Sequence, residues 1–327
     1  MIKHVSVGLF QIAFAYVLDI AIGDPQWSYH PVRLIGKFIE SMESILRRFP
    51  IPERIGGTIL ATTVVFGTYL AVYILLWVSI QWCNLCELFT GAVVIYFAIS
   101  VKSLSDETKK VIIFLRKSDL ANARKALSQI VGRDTINLSE EQIVRACVET
   151  VAEGSVDGIL SPLFYSFIGG PSAAMTYKTV NTLDSMVGHK DEKYIRFGWA
   201  SARLDDMANY IPARISAIVI PIASFLCGCS FINSLKIVFR DGRKHNSPNS
   251  GIPEAAFAGA LKVQLGGTSA YQGEVIEKPF IGDAQNQLTL ESIAMSIKIM
   301  YVASILFLLG GMVTVTCSRL FFLNCYL

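Results

Sequence analysis

Charge is scarce in this chain. Asp, Glu, Lys and Arg supply only 17% of its 327 residues, hydrophobic residues 52%, and the mean hydropathy is +0.47. Soluble globules carry about a quarter charged residues, so an ordinary soluble domain is excluded and a membrane protein is expected. The net charge is just +3. With no basic–aromatic pattern beside it, no nucleic-acid partner is expected. Familiar signatures are also missing: there is no GxxxxGK[ST], HExxH or GxSxG, and Gly266-Gly267 is not a dinucleotide fingerprint. Seven cysteines (Cys83, Cys86, Cys147, Cys227, Cys229, Cys317 and Cys325) lie scattered, which implies no disulfide framework. Cys83-Asn-Leu-Cys86 has no second pair and no neighbouring His, and reads as ordinary membrane-helix cysteine rather than a zinc or redox motif.

What is abundant is apolar sequence in long runs. Val5–Ile22, Thr58–Ile80, Glu87–Val101, Ile211–Ile232 and Tyr301–Leu323 approach or reach spanning length, with Thr58–Ile80 the cleanest. Glu87–Val101 is short enough to be the return arm of a hairpin. Leu160–Met175 holds Pro162, Gly169, Gly170 and Pro171 and reads as half-embedded. The first run begins after Lys3 and His4 like a signal peptide, but Asp19 falls where cleavage would be set, so it is read as retained. The expected fold class is an all-α, polytopic integral membrane protein with re-entrant or peripheral helices. It forms a single membrane-embedded unit over 1–327, with a mostly cytoplasmic helical section at 102–150 and a loop section at 236–297.

Basic residues set the orientation. His30, Arg33, Lys37, Arg47, Arg48 and Arg54 follow the first run, and Lys102 to Arg133 supply eight more after Val101. Both stretches are expected in the cytoplasm, which puts Gln81–Cys86 outside. Two parities remain open: Leu160–Met175 and Ile211–Ile232 are both re-entrant or peripheral, or both span, which would put Asp184–Asp206 outside.

Within 105–148 the apolar spacing is that of amphipathic helix, and Ser139 with Gln142 forms a capping box that starts another helix. That helix carries Glu149, Glu153 and Asp157 four residues apart, on one face. At about 6 Å and an effective dielectric near 20, neighbouring carboxylates repel by roughly 3 kcal/mol. Such a face needs basic side chains, solvent or a divalent cation; a solvated acidic face is the plain alternative.

Four more polar groups exceed what folding requires. Asp24-Pro25 leads to His30-Pro31-Val32-Arg33, where turn formation accounts for all but His30 and Arg33. Lys178, Asn181 and Asp184 share a helix face. Asp205 and Asn209 lie one turn apart, beside Asp206; hard oxygens of this kind suit magnesium, while an Arg203–Asp206 ion pair is the simpler account. Arg243, Lys244 and His245 enter a Pro/Gly-rich loop with Ser247, Asn249, Ser250 and Glu254, a phosphate cradle in outline. Attraction of a basic patch to anionic lipid would explain its Lys and Arg but not its Asn, Ser and Glu. From chemistry alone the chain reads as a magnesium-dependent transferase or ligase acting on a phosphorylated substrate.

Six blocks, in order, resemble one known family. They are Asp24-Pro25…His30-Pro31-Val32-Arg33, Val148-Glu149-Thr150-Val151-Ala152-Glu153, Asp157-Gly158…Ser161-Pro162-Leu163-Phe164-Tyr165, Tyr177-Lys178…Asn181-Thr182-Leu183-Asp184-Ser185-Met186-Val187-Gly188, Arg203-Leu204-Asp205-Asp206, and Arg240-Asp241…His245…Ser247-Pro248-Asn249-Ser250-Gly251…Pro253-Glu254-Ala255. The chain is similar over residues 18–285 to the adenosylcobinamide-phosphate synthase family of cobalamin biosynthesis. The resemblance implies a multi-pass enzyme of the inner, cytoplasmic membrane, its site facing the cytoplasm. Such an enzyme joins the carboxylate of adenosylcobyric acid to (R)-1-aminopropan-2-ol or its phosphate, with ATP as co-substrate and Mg2+. Its expected partners are the corrinoid, the aminoalcohol, membrane lipid and other late cobalamin-pathway enzymes.

A carboxylate does not react with an amine unless oxygen is made a leaving group, and phosphorylation by ATP does that. On this reading Glu149, Glu153, Asp157, Asp205 and Asp206 hold magnesium. Arg243, Lys244, Ser247, Asn249, Ser250, Glu254, Asn181 and Asp184 bind substrate or phosphate. Lys178 and Arg33 neutralise the transferred phosphoryl, and His30 or His245 accepts the proton. Two other classes compete: a magnesium-dependent prenyl or phosphatidyl-alcohol transferase, and a non-enzymatic pathway scaffold or transporter. The first calls for Asp-x-x-Asp-like repeats on two helices, for which Asp205-Asp206-x-x-Asn209 is the sole candidate. The second would tolerate joint loss of Glu149, Asp157 and Arg243.

Overall fold

A computed structural model describes residues 2–25, 27–189, 191–271 and 273–325, and 73% of the chain is helical. The side chains of residues 1–7, 271 and 322–325, including Lys3, His4 and Cys325, lie outside that description. The helices are α1 (Ile2–Ile22), α2 (Pro31–Leu46), α3 (Glu53–Trp82), α4 (Asn84–Tyr96), α5 (Val101–Arg116), α6 (Leu120–Leu127) and α7 (Glu140–Ser155). After a π-helical turn (Val156–Leu160) come α8 (Ser161–Val187), α9 (Trp199–Ala208), α10 (Tyr210–Leu226), α11 (Phe231–Asp241) and α12 (Gly251–Leu261). Strands β1 (Gln264–Tyr271) and β2 (Glu274–Gly282) precede α13 (Leu290–Cys325).

Among the described residues three stretches are long and apolar enough to cross a membrane: Glu53–Trp82, Asn84–Arg116 and Leu290–Phe321. A fourth exists if α9 and α10 together make one span. The chain is thus the polytopic helical membrane protein its composition requires. Backbone amides in lipid must be paired within their own segment, and helices do this.

The chain divides into two compact units. The first comprises 1–100, 161–209 and 308–327. In it α4 returns along α3, as the hairpin reading expects, and packs also on α1; α3 packs on α8 and α9. Ile39, Leu60, Ala61, Val64, Leu183, Val187 and Phe197 form the core there. Full burial of each large aliphatic or aromatic side chain is worth about 1.5–3 kcal/mol. Leu160–Met175 enters α8 at Ser161, and the helix is broken within that run at Gly169 and at Gly170, whose φ is +65°. Pro171 follows and cannot donate into the ladder, so the interruption is written into the sequence.

The second unit comprises 101–160 and 210–307. The run Ile211–Ile232 divides there between α10 and the start of α11. Helix α7 starts as the sequence predicts: the Ser139 hydroxyl accepts the Gln142 N–H, and the Gln142 side chain accepts the Ser139 N–H at 2.8 Å. Helix α12 is buried from Gly251 to Ala260. Its Ala and Gly residues permit this closeness; a Cβ on Gly259 would sit 2.6 Å from the Asn233 carbonyl. The section at 236–297 contains an antiparallel ribbon, with Leu265 opposite Ile281 and Thr268 opposite Glu277. Gly266 and Gly267, both at φ +83°, interrupt its register. Two glycines and Pro279 hide the alternation by which a strand is usually recognised.

Candidate functional site

In the second unit the acidic helix and the 240–254 loop converge. Glu149 is buried, 3% exposed, and is neutralised by Arg133, whose Nη2 donates to its Oε2. Its other oxygen accepts the Gly266 N–H at 2.8 Å. The like-charge face is therefore relieved at its first member by a basic side chain and the β1 backbone. One turn on, half-buried Glu153 meets Glu254 and His245, with one ligand-type atom from each within 4.8 Å of the others. Asp157, the third member, falls in the π-helical turn Val156–Leu160, where i→i+5 hydrogen bonding replaces the α-helical pattern.

Glu254 belongs to the first turn of α12 and is 3% exposed. Burial, and then the charges of Glu153 and Glu149, hold its carboxyl well above the ordinary 4.5. Burial pushes His245 below its ordinary 6.5, although the charge of Glu153 draws it up. His245 Nδ1 accepts the Ser247 N–H at 3.0 Å, which leaves the proton of the neutral ring on Nε2, 3.9 Å from Glu254 Oε1. The loop closes on itself: the Ser247 hydroxyl accepts the N–H groups of Asn249 at 3.3 Å and Ser250 at 3.4 Å. Lys244 pairs with buried Asp241 at 2.7 Å, while Arg243 is exposed. Asp241 also accepts from Arg240 and from the Gly282 N–H at 2.9 Å, tying α11 to β2.

The first unit carries a separate polar group. Asp205 lies beside Asp184 and is hydrogen-bonded by Asn181 and by Asn209 Nδ2 at 3.1 Å. Asn209 Oδ1 accepts the hydroxyls of Ser161 at 2.6 Å and Tyr177 at 2.8 Å. Asp206 pairs with Arg203 at 3.6 Å, the simpler account named above; with Arg203 64% exposed, that pair contributes little. Lys178 is half-buried on α8. His30 caps α2: its Nδ1 accepts the Val32 N–H at 3.3 Å and its Nε2 faces Asp24 at 2.6 Å. Arg33 is exposed in the first turn of α2.

The model of the CobD/Cbib protein family matches residues 12–300. This chain belongs to that family. It is 46% identical over 306 residues to "Cobalamin biosynthesis protein CobD" of Geobacter metallireducens, covering 92% of this chain and 95% of the relative. It is 46% identical over 295 residues to CbiB of Salmonella typhimurium (89% and 92% covered) and 47% over 286 residues to CobD of Clostridium perfringens (87% and 91%). No solved structure matches.

Two residues of this CobD/CbiB chain escape a reading of the sequence for chemistry. Arg133 counts there only as one basic residue among eight, yet it neutralises Glu149. Arg214 counts only as an interruption of an apolar run. In the fold its guanidinium lies 3.6 Å from the Tyr210 ring and donates to Asn249 Oδ1 at 2.6 Å and to the Pro248 carbonyl at 3.2 Å, bracing the loop. A solitary Arg inside an apolar run is itself a signal of function or bracing.

Proposed function

We propose that this CobD/CbiB protein joins adenosylcobyric acid to (R)-1-aminopropan-2-ol or its phosphate through an amide bond, using ATP and magnesium. The observation that carries this reading is the convergence of Glu153, Glu254 and His245 within 4.8 Å. The donor set fits a hard divalent cation. Because the Ser247 N–H occupies Nδ1 of His245 and the ring proton is on Nε2, the imidazole offers no free lone pair. Two carboxylates then remain, as magnesium prefers. Bound there, the ion would neutralise charge on the triphosphate.

Transfer of the γ-phosphoryl to the corrinoid carboxylate releases ADP and leaves an acyl phosphate; the amine then displaces phosphate. Exposed Arg243 meets phosphate first, with Ser250 and Asn249 behind it. The ammonium proton passes to His245 at Nδ1, at the expense of the Ser247 hydrogen bond. Glu149 positions the site through Arg133 and β1.

Membranes containing the protein, incubated with adenosylcobyric acid, ATP, magnesium and each amine in turn, should form the corresponding amide with release of ADP. Release of AMP would replace the acyl phosphate by an acyl adenylate, and no amide with any amine would overturn the reading. Glu153→Gln, with membrane insertion intact, should abolish synthesis at low magnesium; full retention would remove Glu153 from the metal shell.

A further inference from the structure

A single residue, Cys83, joins α3 to α4, its backbone extended at φ −171° and ψ 158°. The sequence reading takes Cys83 and Cys86 for ordinary membrane-helix cysteines. The fold places Cys83 outside either helix, as the exposed N-cap of α4, its Sγ accepting the Cys86 N–H at 3.1 Å. The two sulfurs are 2.7 Å apart. The pair is in direct contact, so closing to the roughly 2.05 Å of a disulfide needs little movement of either side chain. We propose that Cys83 and Cys86 form a redox-active dithiol that closes reversibly to a disulfide by exchange with a small disulfide-bearing oxidant.

Contact, accessibility and chemical asymmetry agree. The three-residue spacing, with the first cysteine at the cap, brings both sulfurs together on one helical turn, Cys83 exposed and Cys86 partly so. Cys83 is exposed and so open to attack on an incoming disulfide. Its thiol is held below the ordinary 9.0, first by the Cys86 side chain and then by backbone N–H groups at the start of α4, which favours the thiolate that exchange requires. Cys147 shows the opposite: buried in α7, its thiol is pushed up to about 12. The positive-inside rule leads one to expect this turn on the outer face, where disulfides persist.

The exchange balances. The Cys83 thiolate attacks one sulfur of the oxidant, forming a mixed disulfide and releasing one thiolate. Cys86 gives up its proton, attacks Cys83 Sγ and expels the second thiolate. Two protein thiols become one disulfide; two electrons and two protons pass to the oxidant, which leaves as two thiols. Nothing in this inference rests on the proposed ligase reaction.

The test uses the full chain in membranes, equilibrated in glutathione buffers from fully reduced to fully oxidised, acid-quenched, alkylated and mapped by peptide mass spectrometry. Cys83 and Cys86 should lose alkylation together, through one midpoint, with their shared peptide lighter by two hydrogens. In Cys86→Ser, Cys83 should instead accumulate as its glutathione adduct; in Cys83→Ser, Cys86 should react several-fold more slowly. Alkylation of both residues throughout the series would overturn the proposal. So would a new disulfide mapped to another pair, or two independent glutathione adducts in the parent chain.

Discussion

Replacing Glu254 by Gln separates the metal reading from a purely structural one, because the two demand opposite signs of stability. Oxygens of Glu153 and Glu254 lie within 4.8 Å. At that distance two full charges repel by about 3 kcal/mol at an effective dielectric near 20. Without a cation the chain avoids this by keeping a proton on Glu254, in keeping with its raised carboxyl. Gln has nearly the same shape and no charge to suppress. In chelator, therefore, E254Q should unfold at the same temperature as the parent or higher. Magnesium should raise the unfolding temperature of the parent and leave the variant unmoved. Losing one of the two carboxylate ligands should weaken cation binding at least tenfold, about 1.4 kcal/mol. Manganese binding, followed by electron paramagnetic resonance on detergent-solubilised full chain, would read that change directly. The reasoning is refuted if E254Q is destabilised in chelator while its manganese affinity stays within twofold of the parent.

Three further predictions come from the same unit. Arg133→Ala strands the buried Glu149 carboxylate and should destabilise by about 3–5 kcal/mol in thermal unfolding, with Arg133→Ala/Glu149→Gln recovering part of the loss, a coupling that independent sites would not show. Asp241 is pushed up by burial, but hydrogen bonds from Arg240, Lys244 and the Gly282 N–H outweigh this and hold it below its ordinary 3.8. A depressed carboxyl contributes stability that is present above that ordinary value and drains away as pH falls below it, so Asp241→Asn should lower stability near neutrality and flatten the acid limb of the stability–pH curve. Gly251→Ala would place a Cβ 2.7 Å from both the Gly242 carbonyl oxygen and His245 Cβ; about 1–3 kcal/mol of overpacking is expected, with the loop around His245 more open to proteolysis.

Much of this was legible before any coordinates. The capping box of Ser139 and Gln142 is a local hydrogen-bond pattern and survives intact. Thr58–Ile80 lies inside α3 because nothing apolar of that length has another home. The α7 acids and the 240–254 loop stand out in the sequence as separate polar groups, and the fold brings Glu153, Glu254 and His245 together. The identity of the neutralising cation was not legible: Arg133 reaches Glu149 across a turn and a helix cap that no spacing rule links. The ribbon at Gln264–Gly282 escaped because glycines and Pro279 occupy the positions where alternation would show. His30 and His245 look like free bases in a sequence, yet each spends Nδ1 on a backbone N–H two residues ahead. Only coordinates reveal that occupation.

Helix α12, enclosed from Gly251 to Ala260, has a consequence for how this protein can diversify. A rod gripped on every side has no room to roll or slide, so the carboxylate it carries stays at a fixed depth. On the proposed ligase reading, accommodation of a longer or bulkier aminoalcohol falls to the segment ahead of it, between Arg243 and Ser250, where exposed side chains can be exchanged without disturbing the wall behind. Selection for new acceptors should leave its record there, and should leave the alanines of α12 alone.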